Sequence, residues 1–363
     1  MSFSSRGRLN WWMGAVISAS LLGACGSPDE RTGEVPVEGE SARDAVAGDV
    51  AVKLSTPRQS LAAREDVSVT VTLTNVSKDA VRVLKWHTPT EGLKEDLFAI
   101  TVDGAPVEYQ GRHYKWATPQ ANDYLRLAAG ESVSYTVDLG ATYDFSRTGN
   151  YSLRYDSGSG EGVSQLRSGE LSVFVEGRPF VDLGAEQAGT VSAFALSTAN
   201  CTAARTTQVT QAFNDAKTMS QGSINWLNSP LPPYTRYITW FGTYSTANRD
   251  VVRNHFNAIL SAFNNQSVIV DCGCTDSAYA YVYKNRPYRI YVCNAFWPAP
   301  PTGTDSKAGT LIHEMSHFTV VADTDDHAYG QSACKTLANS NPARARDNAD
   351  SHEYFAENTP ALP

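Results

Sequence analysis

The chain has 363 residues, 42% hydrophobic and 19% charged, with a formal net charge of −8. This excludes a disordered chain, whose low hydropathy and high charge density leave nothing to bury. The acidic balance, with no cluster of Lys and Arg, excludes the basic stripe of a nucleic-acid binder, and the length accommodates about two domains.

Residues 1–25 read as a signal. Arg6 and Arg8 precede an apolar run from Trp11 to Leu22, too short for a stable membrane span. The run ends in Leu22-Gly23-Ala24-Cys25, which resembles a bacterial lipobox. Cys25 would then be the lipidated first residue and the only membrane attachment. Residues 26–48 are rich in Gly, Ser, Pro, Asp and Glu and read as a flexible acidic linker.

Residues 49–177 have the period of strands. Val67, Val69, Val71 and Leu73 alternate with Ser68, Thr70, Thr72 and Thr74. Similar runs follow at 81–86, 97–102, 132–139, 151–155 and 171–175, separated by turn signals such as Asp103-Gly104 and Gly149-Asn150. The spacing predicts an all-β, sandwich-like domain. His87 and His113 form no recognisable site there, so this half reads as a binding or folding module. Residues 178–196 read as a connector.

In residues 197–363 the period changes. Val209, Ala212, Phe213, Ala216 and Met219 fall at helical spacing, as do Val252, Phe256, Ile259 and Leu260. Strand-like runs intervene at 237–241, 278–283 and 289–293, and helical patterns resume after Gly309. The second domain is therefore expected to be α+β.

Apart from Cys25, the cysteines are Cys201, Cys272, Cys274, Cys293 and Cys334. Export favours disulfides. Cys272 and Cys274 are too close to pair easily, so each is expected to bridge elsewhere. A Cys-x-Cys metal site has no second cluster nearby. Cys334, at helical spacing among Ala333, Leu337 and Ala338, reads as a buried free thiol.

The chemistry lies in His313-Glu314-Met315-Ser316-His317. On a helix, His at i and i+4 share one face and can hold one Zn²⁺, with Glu314 beside a water on that metal. Zinc lowers the pKa of such a water, and the carboxylate can take its proton during attack on a peptide carbonyl. A catalytic zinc needs a third protein ligand. Spacing leaves three candidates: Asp323, which follows Val320 where a turning Gly would be wanted; Glu353, far downstream; and Asp326, at the start of an expected helix running to about Ala338.

The stretch from Gly303 to Asn358 contains His-Glu-Met-Ser-His-Phe-Thr, Asp326-His327-Ala328-Tyr329-Gly330 and Asn348-Ala349-Asp350-Ser351-His352-Glu353-Tyr354-Phe355. It resembles the deuterolysin family of aspzincins, and within it the peptidyl-Lys metalloendopeptidases. The resemblance reaches back through Tyr237-Ile238-Thr239-Trp240-Phe241-Gly242 and Cys293-Asn294-Ala295-Phe296-Trp297 to Cys201. It implies a zincin-like protease domain with one zinc on His313, His317 and Asp326. It also implies Glu314 as base and Tyr329 as the group that stabilises the oxyanion. Asp350 and Glu353 match the acids that accept a substrate Lys; three apart, they share one face if helical, and a carboxylate pair suits an ammonium. Disulfides 201–272 and 274–293 are implied as well. The β half resembles family precursors more loosely, which implies a prodomain. No Lys occurs between Lys115 and Lys217, so a strictly Lys-directed enzyme could not cut itself near Ser197.

The expected molecule is a monomeric, exported zinc endopeptidase cutting on the amino side of Lys, either a cell-envelope lipoprotein or secreted after processing. The alternatives are a deuterolysin-like protease of broader specificity, and a lipid-anchored binding protein with an idle second half.

Overall fold

The computed structural model describes residues 42–158, 165–180 and 195–363. The signal, Cys25, residues 26–41 of the linker and most of the connector lie outside the described residues.

In strand Ser68–Asn75 the valines and Leu73 are buried, while the threonines form a second ladder on the outer face. Thr70, Thr72 and Thr74 hydrogen-bond Thr136, Ser134 and Ser132 across the antiparallel Ser132–Asp138 strand, each at 2.8 Å. Val50–Ser55 flanks the other side. A second sheet takes Phe98–Val102, Gly149–Tyr155 and Leu171–Val175 as its main strands. Alternate residues of both sheets share one core, including Val71, Leu73, Ile100, Leu153 and Val173. The β-rich reading of this half therefore holds. The linker ends earlier than its composition suggested. Arg43–Asp44 pairs with Val81–Leu84, and Ala45 is buried.

The second half has its own core. Helices α1 (Ala203–Asn228), α2 (Thr235–Phe241), α3 (Thr246–Asn265), α4 (Lys307–His317), α5 (Gly330–Ser340), α6 (Pro342–Arg346) and α7 (Ala349–Glu357) pack around a mixed sheet. Strands Leu196–Ala199, Val268–Asp271 and Arg289–Val292 run parallel, and Ala280–Val282 joins antiparallel. Cys201–Cys272 and Cys274–Cys293 are bonded, and Cys334 is free and buried. The run expected as a strand at 237–241 is helix α2. Tyr237, Trp240 and Phe241 are buried at i, i+3 and i+4, and Ile238 between them is 41% exposed. A short apolar run does not separate the two periods by itself. Among the described residues no helix is long and apolar enough to cross a membrane.

The two halves are not independent. Strand His113–Lys115 of the β-rich half forms the edge of the mixed sheet of the second half, antiparallel to Ala280–Val282. A third apolar cluster, including Trp86, Tyr114, Trp116 and Tyr281, seals the seam.

Close packing of α4 on α7 positions the candidate site. The Ser306 hydroxyl caps α4 by accepting from Gly309 N–H at 2.9 Å. Glu357 of α7 accepts from Ser306 N–H and its hydroxyl, each at 2.8 Å. Gly309 faces this junction, and a Cβ there would meet the Glu357 carboxylate and lie 2.9 Å from Glu353 Cγ. Gly309→Ala is therefore expected to cost about 1–3 kcal/mol by overpacking, read as a lower midpoint in urea unfolding.

Candidate active site

Helix α4 is wholly buried, and its spacing stacks His313 and His317 on one face. Their Nε2 atoms are 3.2 Å apart. Asp326 reaches both, with Oδ1 3.3 Å from His313 Nε2 and Oδ2 3.2 Å from His317 Nε2. Each ring is oriented from its other nitrogen. His313 Nδ1 lies 2.8 Å from Asp350 Oδ1, and His317 Nδ1 lies 2.8 Å from the Thr324 carbonyl. With a proton on each Nδ1, both Nε2 lone pairs face the Asp326 carboxylate. A dication among them satisfies all these acceptors at once, and the oriented imidazoles are the usual support for one.

Glu314 lies beside this cluster, fully buried, and neither carboxylate oxygen has a hydrogen-bond partner among the described residues. Burial pushes its carboxyl up to about 7, against the pull of His313 and His317. Burial opposes ionisation of Asp326 too, but His317 and His313 hold that carboxyl well below the usual range.

The other two candidates for the third ligand lie elsewhere. Asp323 is 57% exposed and pairs with Lys284 at 2.9 Å. Glu353 stands on the far side of His313, its Oε2 3.5 Å from Nδ1. Asp326 is not on a helix as expected, because α5 begins only at Gly330, whose φ of +81° suits glycine. The loop is clamped instead by buried Asn348. Its Oδ1 accepts from His327 N–H at 2.8 Å and Ala328 N–H at 2.9 Å, and its Nδ2 donates to the Ala328 carbonyl at 3.2 Å. Tyr329 thus reaches the cleft from a loop, not from one helical turn beyond Asp326.

Asp350 and Glu353 do share a face of α7, both buried. They enclose the ammonium of Lys115, whose Nζ is 2.9 Å from Glu353 Oε2 and 3.4 Å from Asp350 Oδ1. Asp305 adds a third carboxylate at 3.5 Å. Lys115 and Asp350 neutralise each other. Burial opposes both charges, yet Lys115 is held well above its ordinary value and Asp350 below its own.

The β-rich half, read as a binding or folding module, also lines this cleft, although His113 gave no recognisable site in the sequence. It supplies His113, Lys115 and Glu95. Buried Trp116 donates its indole N–H to Glu95, and burial, then nearby Asp326, pushes that carboxyl well up. Asp305, Asn348 and these three residues carried no local sequence signal beyond the Gly303-Thr304-Asp305-Ser306 and Asn348 stretches of the resemblance.

The sequence profile of the aspzincins, described as lysine-specific metallo-endopeptidase, matches residues 232–357. An extracellular protease of Aeromonas hydrophila is 39% identical over 312 residues, covering 82% of this chain and 89% of its own. A peptidyl-Lys metalloendopeptidase of Armillaria mellea is 37% identical over 319 residues, covering 82% and 88%. Another, from Pleurotus ostreatus, is 51% identical over 163 residues, covering 45% of this chain and 96% of its own. These relationships give no support to a lipid-anchored binding protein with an idle second half. With relatives of this similarity over most of its length, and the profile match over 232–357, the chain belongs to the aspzincin family of zinc metallo-endopeptidases.

Proposed function

We propose that the chain is an exported endopeptidase that hydrolyses peptide bonds on the amino side of lysine, with one zinc held by His313, His317 and Asp326. Zinc, when bound, polarises the peptide carbonyl and acidifies water. Glu314 takes the proton from the attacking water and passes it to the leaving amine, as its burial and free oxygens suit. The Tyr329 phenol donates to the carbonyl oxygen as negative charge develops. Asp350 orients His313 and, with Glu353, receives the side chain that follows the cut bond.

The observation that carries the lysine reading is the buried carboxylate pair closed around an ammonium. An uncompensated carboxylate pair is costly to bury, so the pocket favours a side chain that brings a positive charge. Export is supported by the signal-like start, the two disulfides and the extracellular relative. The β-rich half is read as a prodomain, and the chain as a monomer, tethered through Cys25 or released by processing.

The test digests a denatured protein with the processed, zinc-loaded chain and reads the new amino termini by mass spectrometry. Most are expected to begin with Lys. Cuts spread without regard to Lys would overturn the lysine reading and favour the broader, deuterolysin-like one.

A further inference from the structure

Strand His113–Lys115 adds to the sheet edge as an extended peptide would. Lys115 stands opposite Ala280 and Tyr114 opposite Tyr281, and the Lys115 carbonyl accepts from Tyr279 N–H at 2.8 Å. Side chains alternate along a strand, so His113 and Lys115 point the same way and Tyr114 the other. Tyr114 turns into the aromatic seam, stacking on Trp116 at 4.7 Å. The other two meet the reactive groups.

Three contacts fix the register. The Lys115 ammonium fills the acidic pocket, its side chain only 2% exposed. The carbonyl of the preceding residue, Tyr114, accepts from the Tyr329 hydroxyl at 2.9 Å. That carbonyl belongs to the Tyr114–Lys115 peptide bond, the bond a lysine-directed enzyme of this polarity would cut. Two residues before Lys115, His113 joins His317 and Asp326, with one ligand atom from each lying within 4.8 Å of the others. Its Nε2 is buried and has no hydrogen-bond partner among the described residues.

We propose that His113-Tyr114-Lys115 is a substrate mimic built into the chain: Lys115 fills the lysine pocket, the Tyr114 carbonyl rests on Tyr329, and His113 is an additional metal ligand. The proposal rests on the lysine-directed reading above. The register explains why the segment blocks the site without being consumed. A catalytic zinc keeps one position open for water, and an imidazole there leaves Glu314 no water to deprotonate. The carbonyl is then held in place and the Tyr114–Lys115 bond stays intact. Being covalently attached, the mimic acts at an effective concentration that a free peptide must exceed.

The test uses the full chain carrying Glu314→Gln, zinc-loaded, so that turnover cannot remove the segment. A fluorescent peptide with a single Lys is titrated by anisotropy, against the same peptide with norleucine in its place. Adding Lys115→Ala is expected to tighten binding of the Lys peptide roughly 10-fold or more, with little gain for norleucine. Equal binding of the Lys peptide with and without Lys115→Ala, the fold being intact by circular dichroism, would overturn the mimic. A gain shared equally by both peptides would retain the occlusion and overturn the lysine pocket. A second arm replaces zinc by Co²⁺ and records the visible bands with and without His113→Ala. A changed band supports His113 as a ligand, and an unchanged one removes it from the metal.

Discussion

Replacing Glu314 by Gln is expected to lower kcat of the processed enzyme roughly 10³-fold, within the range that a positioned general base supplies. The change keeps the volume of a side chain that is fully buried on α4, so packing is preserved. It removes the proton acceptor alone. Neither oxygen of Glu314 holds another group among the described residues in place, so none of them is left unpaired. KM for a Lys peptide and the zinc content are therefore expected to stay within about twofold, because a group that acts only in the transition state affects kcat and leaves ground-state binding. Steady-state kinetics with a metal assay on the same sample checks this. Activity within tenfold of the parent enzyme would sink the assignment of Glu314 as base.

Glu353→Gln is expected to lower kcat/KM for a Lys peptide roughly 10²-fold and to leave a norleucine peptide nearly unchanged. The magnitude follows from removing one partner of a buried ion pair, about 3 kcal/mol. Glu353 is the better residue for this measurement because its two neighbours in the pocket do other work. Asp350 also holds His313 Nδ1 at 2.8 Å and accepts from Gly330 N–H at 2.7 Å. Asp350→Asn should consequently weaken zinc binding as well, by roughly 10- to 100-fold as such supports do. Asp305 holds the Tyr354 hydroxyl at 2.7 Å. If Glu353→Gln slows Lys and norleucine peptides equally, the residue acts on the fold or the metal and not on the substrate charge.

Much of the machinery was legible because it is written over short distances. Two histidines four apart on a helix, and valines alternating with threonines, each declare their geometry within one turn or one strand. The family resemblance carried the disulfide pairs and Asp326 from a longer pattern. Reading failed where local patterns were ambiguous or were overruled. The run at 237–241 is apolar enough for either period, and its burial against α5 and α7 selected the helix. The loop at 326–329 carries no breaker before Gly330, yet Asn348, some twenty residues later, holds the His327 and Ala328 N–H groups and takes the Ala328 carbonyl that a helix would have used in its own ladder.

The sequence by itself marked the candidates for chemistry: two histidines one helical turn apart that could share a dication, a carboxylate beside them, and two acids three apart that could share one helix face. Only the tertiary structure decided what fills the cleft. Lys115 and Asp350 are 235 residues apart, and a lone His and a lone Lys in a short strand have no periodicity that points to a metal or a pocket. Their meaning arises where a strand of one half closes the sheet of the other. That closure depends on shape, aromatic packing at the seam and the pairing of buried charges, which no short stretch of sequence contains.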